Sequence, residues 1–222
     1  YKIKSTAEVK ELINSSKNYI LSDLPITETS EGICFSYTHK SKGCCYNASL
    51  LGAETLAKIF TFTKDPNLIL FAKKAINFVI SKQKVDGSWN YSIDLNTGKE
   101  RKQIDFHQGF VLMSLFNYVR YSSDHDNIIN DSIKRGLEFY RTQQFKENGQ
   151  SLWRLPKEYP IDIHNQAQGI ITFAEFDKYG ENYLDFSAKI ASWTIKNMQD
   201  KEGYFYFRNY KLFKNKIPYM RW

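Results

Sequence analysis

Two Asp-x-His steps stand out, Asp105-Phe106-His107 and Asp162-Ile163-His164. Their histidines are 57 residues apart and are two of only four in the chain. Two carboxylates across a cleft can protonate a leaving oxygen and activate a water. A histidine beside a carboxylate is oriented by it, or transfers protons itself near neutral pH. The same residues have a structural reading. An Asp before an apolar run caps a helix, Gln108 three residues after Asp105 completes a capping box, and a first-turn histidine bonds a loop carbonyl. Both readings are open on the residues alone. Two Asp and two His could also ligate a divalent ion, but D-x-H spacing is not specific for metals. Neither a metal nor any other cofactor is expected.

The elements that must position these residues follow from an internal repeat of about 57 to 60 residues. Ala75 to Gln83, Gly136 to Gln144 and Ala191 to Gln199 each place a small residue eight positions before a glutamine. A glycine follows four or five positions later (Gly87, Gly149, Gly203), with an aromatic beyond it. The spacing predicts a lysine-bearing amphipathic helix ending at each glutamine, whose amide bonds the free helix-end carbonyls. The glycine then turns the chain at φ > 0. A second, less charged helix follows each turn, near Tyr46-Asn47, Asp105 to Gly109 and Asp162 to Gly169. Pro218 to Trp222 reads as the start of a fourth. Gly109 to Val119 carries no charge, which predicts a helix buried on all sides.

Stacked hairpins of one outer and one inner helix curve into a ring. The expected fold is all-α: an α/α toroid forming a single domain over 1–222, with repeats at about 25–83, 84–144, 145–199 and 200–222 (partial). A leading helix is expected from about Thr6 to Leu21. The chain begins at Tyr1 and stops within a repeat, so it reads as a fragment of an incomplete or truncated (α/α)6 barrel.

Residues at the inner-helix N-termini line the mouth of such a ring. Asn47, His107, His164 and Arg221 fall at one equivalent position, 60, 57 and 57 residues apart. Asp105 and Asp162 are the expected acid and base, with His107 and His164 in support. Tyr46, Asn47, Trp89, Gln108, Trp153, Gln168, Tyr206 and Arg221 are the expected ligand-binding set. Aromatics, at 16%, would supply stacking faces, and Arg221 a bidentate clamp for a carboxylate.

Bulk properties exclude several classes. With 42% hydrophobic and 25% charged residues the chain is an ordinary globular protein. The net charge of +7 comes from scattered lysine groups and no binding motif accompanies it, so nucleic acid is not an expected partner. No apolar run is long enough for a transmembrane helix. Three cysteines, Cys34, Cys44 and Cys45, make a poor disulfide framework and point to a reducing, cytoplasmic setting. Cys44 and Cys45 read as small buried hydrophobes. The oligomeric state is unknown from the sequence.

The stretch Gln83-Lys-Val-Asp-Gly-Ser-Trp89 resembles the QW motif of the squalene cyclase and protein prenyltransferase toroids, where the motif is structural. The D-x-D-D acid of the cyclases is missing and no prenyltransferase zinc site can be placed. A wider resemblance covers nearly the whole chain. It rests on Phe35-Ser-Tyr37, Tyr46-Asn-Ala48, Asp105-Phe-His107, Tyr159 to His164, Asn197-Met-Gln199, Gly203 to Tyr206 and Lys216 to Trp222. These are similar to a bacterial and archaeal group of toroid proteins encoded with surface-polysaccharide assembly genes, akin in architecture to six-hairpin glycosidases and unsaturated glucuronyl hydrolases. The resemblance implies a carbohydrate-active toroid acting on or binding an oligo- or polysaccharide, with uronate among its sugars. As an enzyme it would be a glycoside hydrolase or polysaccharide-modifying enzyme of hydrolase, lyase or epimerase type. The alternatives are an isoprenoid-binding toroid of the cyclase or prenyltransferase kind, and a non-catalytic scaffold in glycan assembly.

Overall fold

A computed structural model describes residues 6–40, 43–180 and 182–217. Its helices are α1 (Ala7–Asn18), α2 (Tyr46–Thr63), α3 (Pro66–Ser81), α4 (His107–Ser122), α5 (Asn127–Gln143), α6 (Ile163–Glu175) and α7 (Tyr183–Met198). Each expected full repeat holds one inner and one outer helix: α2 and α3, α4 and α5, α6 and α7. Helix α1 is capped by Thr6, whose hydroxyl accepts from the Val9 N–H, and runs into a π-helical turn over Tyr19–Asp23. The chain folds into two compact units. Among the described residues, unit 1 takes 6–40, 43–83, 90–102 and 114–130, and unit 2 takes 84–89, 103–113, 131–180 and 182–217.

In unit 1, α2 and α3 form an antiparallel hairpin. Lys64, in the left-handed region at φ 59°, ends α2, and Asp65 immediately caps α3 by accepting from Asn67, with Pro66 in the first turn. So short a link leaves the helices no choice but to pack side by side. Strands β1 (Ile26–Thr29) and β2 (Gly32–Phe35) pair antiparallel, with Ile26 opposite Phe35. Gly32, at φ +150°, rests on α3: a Cβ there would lie 2.1 Å from the Lys74 carbonyl oxygen.

Unit 2 repeats that device. Gly149, at φ +90°, would carry a Cβ 2.6 Å from the Lys189 carbonyl of α7, and Gly87, also at +90°, one 2.3 Å from the Arg135 carbonyl of α5. Gly203 has φ +95°. All three punctuating glycines therefore adopt the expected positive φ. Two of them also let a turn lie directly on a helix backbone. One of the glutamines does something other than expected: Gln199 Nε2 donates to the Gly203 carbonyl at 2.9 Å, closing the turn rather than the helix end.

Short sheets, which the all-helical expectation left out, decorate the hairpins. Strand β3 (Cys44–Cys45) leads into α2 and pairs with β4 (Ser92–Ile93), which pairs with β5 (Glu100–Arg101). Strand β6 (Ile161–Asp162) leads into α6 and pairs with β7 (Arg208–Asn209), which pairs with β8 (Lys214–Asn215).

Two further expectations are corrected. Cys34 and Cys44 form a disulfide, with Cα atoms 6.0 Å apart, that ties β2 to β3; Cys45 is the buried free thiol. The uncharged inner helix is not buried on all sides either. On α4, Val111, Leu112, Ser114, Leu115, Tyr118 and Val119 are buried, while Phe110, Met113, Phe116 and Asn117 are half-exposed. Helix α2 likewise leaves Leu51 and Phe62 more than half exposed. No helix among the described residues is long and apolar enough to cross a membrane.

Candidate functional site

Both Asp-x-His steps belong to unit 2, and their side chains meet. Asp105 is buried and densely bonded. Its Oδ1 accepts from the His107 backbone N–H at 3.2 Å and lies 2.5 Å from His107 Nδ1. Its Oδ2 accepts from Gln103 Nε2 at 2.7 Å, with Arg154 Nε 3.4 Å away. Burial raises the carboxyl's pKa, but the His107 and Gln103 hydrogen bonds together outweigh it and hold the pKa below the ordinary aspartate value. Asp105 is thus an anion at neutral pH and can only accept. The hydrogen in the His107–Asp105 contact therefore belongs to Nδ1. In the neutral ring this makes Nε2 the basic nitrogen.

Asp162 caps α6, as expected, with Oδ1 accepting from the His164 N–H at 3.0 Å. Its Oδ2 accepts from Arg208 Nε at 2.8 Å. Sheet register causes this pairing, because Arg208 stands directly opposite Asp162 across β6 and β7.

Phe106 lies between the two histidines. Its ring centroid is 4.2 Å from that of His107 and 3.9 Å from that of His164, both near-parallel, and Phe110 meets His164 edge-on at 5.7 Å. Removal from water lowers the His164 pKa; Asp162 opposes this, nearby His107 adds to it, and Asp105 opposes it weakly, leaving the pKa below the usual histidine value. His164 is neutral at pH 7, able to accept a proton but poor at holding one.

The expected binding residues divide by burial. Trp89 is fully buried under Gly136, where a Cβ would lie 2.8 Å from the indole, and so offers no face to a ligand. Gln108 does not complete a capping box. Its Oε1 accepts from the Trp89 N–H at 2.9 Å and its Nε2 donates to the Trp89 carbonyl at 2.7 Å, so it clamps a turn. Gln166, which the sequence reading passed over, does the same for the next turn, through the Ser151 N–H and the Gly149 carbonyl. Gln168 is buried and donates to Thr172. Tyr206 is 7% exposed and donates its hydroxyl to Asp200. Trp153 is half-buried, with the Arg154 and Arg208 guanidinium carbons 4.9 and 5.9 Å from its ring. Tyr46 and Asn47 belong to unit 1. Tyr46 is buried and donates to Glu100, while Asn47 Oδ1 accepts from the Cys45 thiol at 3.0 Å. Arg221 lies outside the described residues.

Sequence reading missed Gln103, Phe106, Arg154 and Arg208. Phe106 had a signal, as the residue between Asp and His. The arginines reach the site through a loop and a sheet register that no local spacing encodes. No cluster of three or more His, Cys, Asp or Glu among the described residues is placed to hold a metal ion.

No protein-family model matches the chain, and no curated protein matches it in sequence. Solved structures match it in fold. A cellobiose 2-epimerase from Bacillus thermoamylovorans superposes with a TM-score of 0.76 at 12% identity, covering 96% of this chain and 63% of its own. A possible member of glycoside hydrolase family 105 from Salmonella enterica gives 0.77 at 10%, covering 92% of this chain and 57% of its own. An unsaturated glucuronyl hydrolase specific for heparin gives 0.69 at 14%, covering 93% and 61%. The fold is thus the α/α toroid of six-hairpin glycosidase-like proteins. The chain spans less than two thirds of the length of each of these three structures.

Proposed function

We propose that this chain is part of a carbohydrate-active toroid protein in which His107 and His164 move protons on a bound sugar. The observation that carries the reading is the buried Asp105 carboxylate against His107 Nδ1, which leaves Nε2 as a fixed base. Asp105 and Asp162, the acid–base pair expected from sequence, act here as positioning residues, because hydrogen bonds to His107, Gln103 and Arg208 already engage their oxygens. His164, kept neutral by burial, is the second proton acceptor or, once protonated, the donor. Two imidazoles suit proton abstraction and return at a sugar carbon, the chemistry of epimerisation or elimination. They suit hydrolysis less, since that calls for a carboxylic acid with a raised pKa.

Saccharide as the substrate class is supported by the fold neighbours, which include an epimerase of cellobiose and a glucuronyl hydrolase specific for heparin. Placement in surface-polysaccharide assembly and action on a uronate-containing chain belong to the same proposal. Incubation with cellobiose, mannobiose and unsaturated uronate disaccharides in D2O, followed by NMR, tests it. Deuterium at a sugar carbon, abolished by His107→Ala, is expected. Turnover that survives His107→Ala, or that dispenses with both histidines, overturns the assignment.

A further inference from the structure

We infer that unit 1 carries a second saccharide site, a groove beside β3, β4 and β5 that binds the uncharged part of a glycan chain without reacting with it. The groove has a volume of about 960 Å³, at the upper end of the roughly 300–1,000 Å³ range of small-molecule sites. Tyr37, Tyr91, Glu100 and Arg101 line it.

These side chains have the character that a sugar needs. Tyr37 is 60% exposed, a large ring held in water. Tyr91 is half-buried, and the Arg101 guanidinium stacks on its ring at 4.8 Å. Rings of this kind pack against the C–H faces of a pyranose. Glu100 is pinned: Oε1 accepts from the Tyr46 hydroxyl at 3.0 Å and Oε2 from Asn90 Nδ2 at 2.6 Å. A carboxylate fixed by two donors still has lone pairs for sugar hydroxyls. Arg101, the next residue along β5, also lines the groove and supplies donors.

Charge selects among glycans. The lining holds Glu28, Asp94 and Glu100 against Lys99 and Arg101, three negative to two positive, so a polyanion gains nothing there. The site also lacks the proton-transfer pair of unit 2. Cys45 and Asn47 stand where Asp162 and His164 stand in the later repeat. Burial pushes the Cys45 thiol pKa up, with a hydrogen bond to Tyr91 opposing it, so the group stays protonated at neutral pH.

The saccharide class rests on the function proposed above; the site itself does not, and the test keeps the two apart. Wild-type protein and the variants Tyr37→Ala, Arg101→Ala and His107→Ala are run through native gels containing glucomannan, hydroxyethyl cellulose or polygalacturonate, with circular dichroism as the check on folding. Retardation of the wild type by a neutral polymer is expected, weakened tenfold or more by Tyr37→Ala and by Arg101→Ala, and retained by His107→Ala. No retardation by either neutral polymer, retardation by polygalacturonate alone, or retardation unchanged in both folded groove variants overturns the inference. Groove-dependent retardation without any deuterium incorporation keeps the groove and removes the proposed chemistry. Incorporation without retardation does the reverse.

Discussion

The start of α2 and the start of α6 are built on one plan and carry different chemistry. Each inner helix follows a two-residue strand that pairs with the hairpin of the next repeat. In unit 2 the last residue of that strand is Asp162, opposite Arg208, and two residues on comes His164. In unit 1 the last residue is Cys45, opposite Ser92, and two residues on comes Asn47. Backbone and register are the same, but an acid with its arginine and a titratable ring are exchanged for a thiol, a hydroxyl and an amide. On the function proposed above, the scaffold supplies the place and the side chains decide whether it is a proton-transfer rim or a binding rim. A repeat that served only to build the ring would have no use for the difference.

The sharpest way to break the comparison is to silence one rim at a time. His107→Ala is expected to lower kcat by a factor on the order of 10²–10⁴, the usual contribution of a general base, and Asn47→Ala by less than about threefold. Steady-state kinetics on a substrate found by the deuterium screen decides it, and equal losses would erase the distinction.

Next in size is the stability each rim residue carries. Asp105→Ala leaves Gln103 and His107 without their buried acceptor and Arg154 without its ion-pair partner, and is expected to cost about 3–5 kcal/mol in urea unfolding. Cys45→Ala, which removes a neutral thiol, is expected to cost about 1 kcal/mol. A similar cost for both would mean that the Asp105 network is only packing.

A third prediction concerns the strand leading into each helix, which only unit 1 secures covalently. The Cys34–Cys44 bond closes a short loop, with a sequence separation of 10. Cys34→Ser is expected to lower stability by about 2–3 kcal/mol. Thiol titration of the unfolded chain should find one reactive group before reduction and three after; three before reduction would rule the bond out.

The smallest expected effect is a pH dependence peculiar to unit 2. The His164 pKa is lower folded than unfolded. Its contribution is therefore fully present above the ordinary histidine value of about 6.5 and is lost as pH falls through that value toward the folded one. Asp105 acts with the same sign but only below about pH 3.9, so it does not mask the effect. His164→Gln should flatten the stability profile below about pH 6.5. A wild-type profile already flat there would show that the ring is not shielded from water.

How much of this was legible depends on how local each cause is. The helices follow from apolar spacing, and the turns at Gly87, Gly149 and Gly203 from a rule about φ that acts within a few residues. Gly32 belongs to the same series, seating its turn on α3, yet it sits in a strand pair with no glutamine before it, so the repeat pattern could not reach it. The Asp-x-His steps were visible because capping and imidazole orientation both act across two residues. Aromatic type was a poor guide to exposure. Trp89, Tyr46 and Tyr206 have the chemistry of stacking platforms, but packing put them inside.

By itself the sequence determined the hairpin repeat, the glycine turns and which inner helices begin with an acid and a histidine, since each of these is settled by neighbours along the chain. Tertiary structure decided the rest. It gave Asp162 an arginine through sheet register, slid Phe106 between two imidazoles, turned Gln108 into a clamp and joined Cys34 to Cys44. Those outcomes depend on residues far apart in sequence meeting in space, and the long-range pairing that brings them together leaves no period for a single sequence to display.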